Sequence, residues 1–221
     1  MSYEEQTKNA YRNKEKAAAY LSQYVEGTKW ARFTMWKQKR IIENFLKVCE
    51  LQEDDFLLDA PCGTGYAGNI LLSHPCKVVA SDISLEMMEL AEEEYEKSNF
   101  QGFYQADLTQ SPFREDYFKC VLVLALMHRL PSQIRKLILS EVHKISKEYA
   151  IISFSENSFI QQIKQSLLLK IKKSHVPAPA SISIDTIEKE LKDSGFKVIK
   201  KKNILKFFSA KLVYLLKKDS E

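Results

Sequence analysis

Three carboxylates stand at the ends of three successive apolar runs. Asp59 follows Phe56-Leu57-Leu58, Asp82 follows Val78-Val79-Ala80-Ser81, and Asp107 follows Phe103-Tyr104-Gln105-Ala106. The first run passes directly into Ala60-Pro61-Cys62-Gly63-Thr64-Gly65, a turn with two glycines two positions apart. Glycine lets the backbone approach a ligand where a Cβ would collide. Gly63-Thr64-Gly65-Tyr66-Ala67-Gly68 also fits the G-x-G-x-x-G pattern of dinucleotide sites, and Asp82 lies where a ribose-binding acid belongs in either reading. Asp59 separates the two. A pyrophosphate over this turn would be repelled by a carboxylate at the strand end, whereas a ligand offering an ammonium group would be held by it. Asp82 can accept from two ribose hydroxyls. Asp107 can accept from the amino group of a purine, while the Leu108 N–H donates to a ring nitrogen. Each acid also has a local alternative: a helix or loop cap for Asp59, the cap of the helix after Ser84 for Asp82, and an ordinary turn acid before Pro112 for Asp107.

The elements that must position these acids follow from periodicity. Continuous apolar runs at 56–60, 77–82, 102–106, 120–124 and 150–154 read as strands buried on both faces. Helical patterns lie between them, including one capped by Ser84 and running to about Lys97, and one over Ser132 to Ile145. Two helices are expected before the first strand, over residues 3–25 and from Trp30 to about Val48, with a break at Gly27-Thr28. Beyond residue 155 the pattern predicts a helix from Phe159 to Lys173, then Pro177-Ala178-Pro179, then a helix capped by Ser183 or Asp185 and ending before Gly195. Two strands, Phe196–Ile199 and Phe207–Leu216, are close enough in sequence to pair antiparallel. The expected fold is α/β: a Rossmann-like, doubly wound, mostly parallel seven-stranded sheet with an antiparallel last strand. Residues 1–50 are expected to form a helical cover and 51–221 the main domain.

Four segments carry a family resemblance: Leu58-Asp59-Ala60-Pro61-Cys62-Gly63-Thr64-Gly65, Ala80 to Met88, Gln105-Ala106-Asp107-Leu108 with Pro112-Phe113, and Phe118 to Leu130. Together they resemble a class I S-adenosylmethionine-dependent methyltransferase of the small-molecule type. The resemblance implies S-adenosylmethionine as cofactor, held by Asp59, Ala60, Pro61, Gly63, Gly65, Asp82, Ile83, Met87, Asp107, Leu108 and Leu124. It implies methyl transfer to an O or N atom of the acceptor. The sequence departs from the family in three places. Pro61 replaces the usual first glycine of the loop, Lys119 replaces an acid, and Met127-His128-Arg129 keeps one histidine of a frequent pair. Transfer from a sulfonium is an in-line displacement with a good leaving group, so alignment and desolvation supply most of the acceleration. A base is needed only for a nucleophile with a high pKa; His128 is the candidate, and a packed histidine that shapes the pocket is its alternative. Tyr20, Tyr24, Trp30 and Arg32 are candidate acceptor contacts on the helical cover, with ordinary helix packing as the alternative. No Asn/Asp-Pro-Pro-Tyr motif follows the fourth strand, which argues against amide or exocyclic amine chemistry of that kind.

Composition narrows the classes further. Hydrophobic residues at 45% and charged residues at 28% describe a globular chain. Cysteines 49, 62, 76 and 120 form no C-x-x-C pair and the four histidines form no H-x-x-x-H pair, so no metal site is expected and the thiols read as buried and reduced. No apolar run reaches membrane-span length, and the first residues lack the pattern of a secretory signal; a cytoplasmic protein is expected. Residues 161–221 hold 14 lysines and no arginine against 6 acids, so the positive charge is concentrated there. That balance admits an RNA or protein methyltransferase, but lysines without interleaved arginine read more simply as a solvated surface. A small-molecule acceptor is the favoured partner, nucleic acid is not favoured, and a non-catalytic donor-binding protein or a nicotinamide dehydrogenase completes the alternatives. Oligomeric state is not legible in the sequence.

Overall fold

A computed structural model describes residues 28–155, 182–204 and 211–219. Its elements are α1 (Lys29–Leu46) with a 3-10 turn (Lys47–Cys49), β1 (Phe56–Asp59), α2 (Gly68–Leu71), β2 (Lys77–Asp82), α3 (Leu85–Ala91) with a 3-10 turn (Glu92–Tyr95) and β3 (Phe100–Gln105). Then come β4 (Phe118–Val123), a 3-10 turn (Met127–Arg129), α4 (Ser132–Ile145), β5 (Ser146–Ser155), α5 (Ile184–Asp193), β6 (Phe196–Asn203) and β7 (Lys211–Lys218). The strands form one sheet in the order β3-β2-β1-β4-β5-β7-β6. The first five are parallel, and β7 runs antiparallel to both β5 and β6. This is the expected α/β sheet with its reversed last strand. The expected helices over 3–25 and 159–173, and residues 207–210 of the last expected strand, lie outside the described residues.

Side chains alternate across each strand, so each strand feeds two cores. Leu57, Val78, Leu122, Ile151 and Val213 face a cluster that includes Ile42, Phe45 and Leu46 of α1 and Tyr95. Leu58, Val79, Val121, Ile152 and Tyr214 face the other side, against Ile138, Leu139 and Val142 of α4 and Ile187 and Leu191 of α5. Burial on both faces is why the strands read as continuous apolar runs rather than alternating ones.

Thr28 caps α1, its hydroxyl accepting from the Ala31 N–H at 3.2 Å. The C-terminal half of this helix is bolted to the sheet by its buried Ile42, Phe45 and Leu46. The other face carries Trp30, Phe33 and Trp36, which are exposed.

Among the described residues, the lysines of the basic C-terminal third fall into local pairs and an edge. β6 is an outer strand with Lys197, Lys200, Lys201 and Lys202 exposed. Charge on an edge strand opposes pairing with another sheet. Lys201 meets Glu188, Lys217 meets Glu148, and Lys218 meets Asp116. Lys119, which stands where the family pattern has an acid, also pairs with Glu148. All four cysteines are buried and free, and no helix among the described residues is long and apolar enough to cross a membrane.

Candidate active site

The ends of β1, β2 and β4 meet at the carboxyl edge of the sheet. β1 lies between the other two, with Asp59 in register with Ala80 of β2 and Leu122 of β4. The chain leaves β1 without breaking this pattern: the Ala60 N–H donates to the Leu122 carbonyl and the Cys62 N–H to the Ser81 carbonyl. Pro61 therefore costs the loop nothing, because both neighbouring donors are used and proline has none to waste.

Asp82 holds the glycine turn. Its Oδ2 accepts from the Gly63 N–H at 2.9 Å and its Oδ1 from the Ser84 N–H at 3.0 Å. Gly63 has φ of +53°, in the left-handed region, and a Cβ there would meet nothing within 4 Å. Glycine is needed here for the turn itself and leaves open space above it. Ser84 in turn caps α3 by accepting from the Met87 N–H. Asp82 thus braces both the glycine turn and the capped start of α3 while lining the cleft at the strand end.

Asp59 is buried, and the Tyr95 hydroxyl donates to its Oδ2 at 2.6 Å. Burial pushes this carboxyl up to about 7; the Tyr95 hydrogen bond pulls the other way, and the nearby Asp82 carboxylate adds to the rise. Burial likewise raises the Asp82 carboxyl, against the backbone donors that favour its charge. Two acids crowded out of water in one cleft are groups that a cation would stabilise. Asp107 closes a turn, its Oδ1 accepting from both the N–H and the hydroxyl of Thr109.

These residues open onto one cleft. Asp59, Ala60, Pro61, Gly63, Asp82, Ile83, Met87, Asp107, Leu108 and Leu124 all line it. Gly65 does not. Its φ is +79°, and an added Cβ would lie 2.7 Å from the Glu94 Cβ and 3.2 Å from the Ala91 carbonyl oxygen. Glycine at 65 lets the loop close on the 3-10 turn after α3. Gly65→Ala is expected to destabilise the fold by about 1–3 kcal/mol, the cost of overpacking. In urea titrations the loss should appear as a lower midpoint, with ligand affinity of the folded protein unchanged; the reverse pattern would return Gly65 to the ligand site.

His128 sits half-buried on the 3-10 turn after β4 and is not among the residues lining the cleft. Burial, then the charges of Arg129 and Lys211, push it down to about 4. It is neutral at pH 7 but only a weak proton acceptor. Trp30 and Arg32 are exposed and are likewise absent from the lining, while Tyr20 and Tyr24 lie outside the described residues.

Several lining residues were not picked out by the sequence reading. Gln38 is the buried polar residue of α1 and faces the cleft. Helix α1 is brought there by Tyr66, whose hydroxyl donates to the Met35 carbonyl at 2.8 Å. Arg129 and Lys211 also line the cleft, as does Ala125, held at φ of +55° with its N–H donating to the Ser153 hydroxyl. An exposed-looking polar residue on an amphipathic helix carries no sequence signal of such a role.

Comparison with known proteins agrees with this geometry. Residues 57–148 match the family described as a methyltransferase domain. A curated relative, malonyl-[acyl-carrier protein] O-methyltransferase of Hamiltonella defensa, is 28% identical over 118 residues, 53% of this chain and 44% of that protein. The chain thus matches less than half the length of that relative. Among solved structures, magnesium protoporphyrin IX methyltransferase from Synechocystis PCC 6803 with bound SAH aligns with a TM-score of 0.76 at 15% identity, covering 98% of this chain and 100% of that one. An S-adenosylmethionine-dependent methyltransferase from Clostridium acetobutylicum aligns at 0.65 and 17% identity, covering 93% and 99%. At these identities the structural likeness is one of fold. The chain thus matches a methyltransferase domain over residues 57–148, and its sheet with the reversed seventh strand has the fold of these solved methyltransferases.

Proposed function

We propose that this protein transfers a methyl group from S-adenosylmethionine to an O or N atom of a small-molecule acceptor. The observation that carries the reading is the pair of buried carboxylates, Asp59 and Asp82, flanking an open glycine turn in a single cleft. Asp59 faces the α-ammonium of the donor, Asp82 the ribose hydroxyls, and Asp107 with Leu108 the adenine. Ile83, Met87 and Leu124 supply apolar walls for the same ligand. S-adenosylmethionine, when bound, supplies the electrophilic methyl group; the residues of this chain bind it, orient it and exclude water. The named relatives act on malonyl-[acyl-carrier protein] and magnesium protoporphyrin IX, which supports an acceptor other than nucleic acid. The paired and edge-strand lysines support the same choice.

Asp59 gives this reading a pH signature. Its carboxyl sits at about 7 in the empty cleft, and an ammonium partner stabilises the ionised form. Below pH 7, donor binding must therefore release a proton, and affinity rises with pH by up to about tenfold per unit until the group is ionised. For folding the sign is opposite to that of a paired carboxylate. The folded pKa lies above the unfolded one, so the contribution of Asp59 to stability falls as pH rises from about 4 through 7.

Calorimetry with S-adenosylhomocysteine between pH 5.5 and 8, in buffers of differing ionisation enthalpy, tests both the ligand and its mechanism. Proton release that fades above pH 7 is expected. Tight NADH binding with no S-adenosylhomocysteine binding would replace this reading with a dehydrogenase.

A further inference from the structure

Among the described residues, the large apolar side chains that stay exposed are scattered singly over α3, β3, α4 and β6, with one exception. Trp30, Phe33 and Trp36 lie together on the outer face of α1, at 51%, 41% and 54% exposure. Their three-residue spacing keeps them on one side of the helix, opposite the buried Gln38, Ile42 and Phe45 that face the cleft and the sheet. Phe33 and Trp36 stack with 5.9 Å between ring centroids. Single exposed apolar residues need no explanation, but a cluster bordered by charge marks a contact surface.

The charges of this helix half are basic. Residues 29–42 hold Lys29, Arg32, Lys37, Lys39 and Arg40 and no acid. The first acid of the helix, Glu43, pairs with Lys47 instead. Lys37 lies over the Phe33 ring at 6.0 Å and Arg40 over the Trp36 ring at 5.9 Å, so cations and rings share one face. Cations near a helix N-terminus oppose its dipole, so Lys29 and Arg32 stand there at a local cost that an anionic surface offsets. Tryptophan favours the boundary between bilayer and water, and lysine and arginine beside it reach lipid phosphates. Rings covered by each other and by cations leave little face for a nucleic-acid base to stack on.

We propose that the outer face of α1 docks on an anionic lipid bilayer, with Phe33 and Trp36 entering the headgroup boundary and Lys29, Arg32, Lys37 and Arg40 meeting lipid phosphates. Interfacial binding of a helix combines buried apolar area with electrostatic attraction, and this face offers both. Ile42, Phe45 and Leu46 keep the helix seated on the sheet while it docks. The docked helix is also a wall of the cleft, through Gln38 on its opposite face. The docking residues themselves are separate from the donor site, because none of Lys29, Phe33, Trp36 and Arg40 lines the cleft.

The chain has two tryptophans, Trp30 and Trp36, and both stand on this face, so intrinsic emission reports on it alone. The full chain is mixed with vesicles of phosphatidylcholine, or of phosphatidylcholine with about a third phosphatidylglycerol. Cosedimentation is expected with the anionic vesicles and not with the neutral ones, together with a blue shift of the emission and its quenching by brominated acyl chains. Lys29→Gln and Arg40→Gln should each lower vesicle affinity about fivefold, the scale of one basic residue at an anionic surface. Phe33→Ser keeps both tryptophans and should lower it about tenfold, through lost apolar burial. All three positions are exposed, so the variants are expected to fold, which circular dichroism checks. Binding to neither vesicle, equal binding to both, or binding that leaves the emission and the variants unmoved would overturn the proposal. Dimerisation without lipid that Phe33→Ser abolishes would overturn it too, by giving the face to a second copy. Oligouridine binding in place of vesicle binding would likewise overturn it, by giving the face to RNA.

Discussion

Replacing Glu190 with alanine is expected to cost the fold about 3–5 kcal/mol, the range for removing one partner of a buried ion pair. Glu190 and Arg135 are both buried, at 3% and 5% exposure. The guanidinium donates to both carboxylate oxygens, at 2.8 and 2.6 Å, and the Ser132 hydroxyl adds a third bond to Glu190 at 2.7 Å. This network ties α5 to the start of α4. Alanine at 190 strands the guanidinium in an apolar layer with one remaining acceptor, the Leu130 carbonyl. The penalty comes from that stranded charge rather than from the lost attraction. Urea denaturation should show it as a large drop in midpoint at constant slope. Glu190→Gln, which keeps acceptor and shape, should recover part of the loss. A change below about 1 kcal/mol for the alanine variant would mean that water reaches the pair as it reaches a surface bridge.

Asp82→Ala is expected to weaken S-adenosylhomocysteine binding by about 1.5–3 kcal/mol, the scale for hydrogen bonds to a charged group. The structure points to the upper part of that range. Asp82 is the residue proposed to face the ribose, and it also accepts from Gly63 and Ser84, so its removal loosens the turn proposed to carry the donor. Asp82→Asn separates the two effects. The amide oxygen can keep one backbone donor, so the turn should persist while the charge is lost. Calorimetry should then rank the unaltered protein above the asparagine variant, and that above alanine. Equal affinity for all three would remove Asp82 from the ligand site.

The mostly parallel sheet, its reversed last strand and the placing of three acids at one edge were legible in the sequence. Parallel strands buried on both faces must be apolar along their length, so an acid is conspicuous where the run stops. The direction of each strand then puts the stops of Asp59, Asp82 and Asp107 on the same side. The cap at Ser84 was legible too, because capping is a contact between residues three apart, while the sequence left Ser183 and Asp185 as alternatives and the structure shows Ser183.

The tertiary structure alone decided what each feature serves. Gly63 and Gly65 look alike in the chain, but one leaves open space while the other makes room for Glu94. Tyr95 reaches Asp59 across 36 positions, and nothing local marks its hydroxyl as the partner that moderates a buried acid. Gln38 enters the cleft only because Ile42, Phe45 and Leu46 seat their helix on the sheet. Arg129 and Lys211 line one cleft only because β7 inserts between β5 and β6, which brings its first residue level with the end of β5. Local periodicity reports which face of an element is buried; charge that meets charge across the sheet depends on strand order and register, which periodicity does not encode.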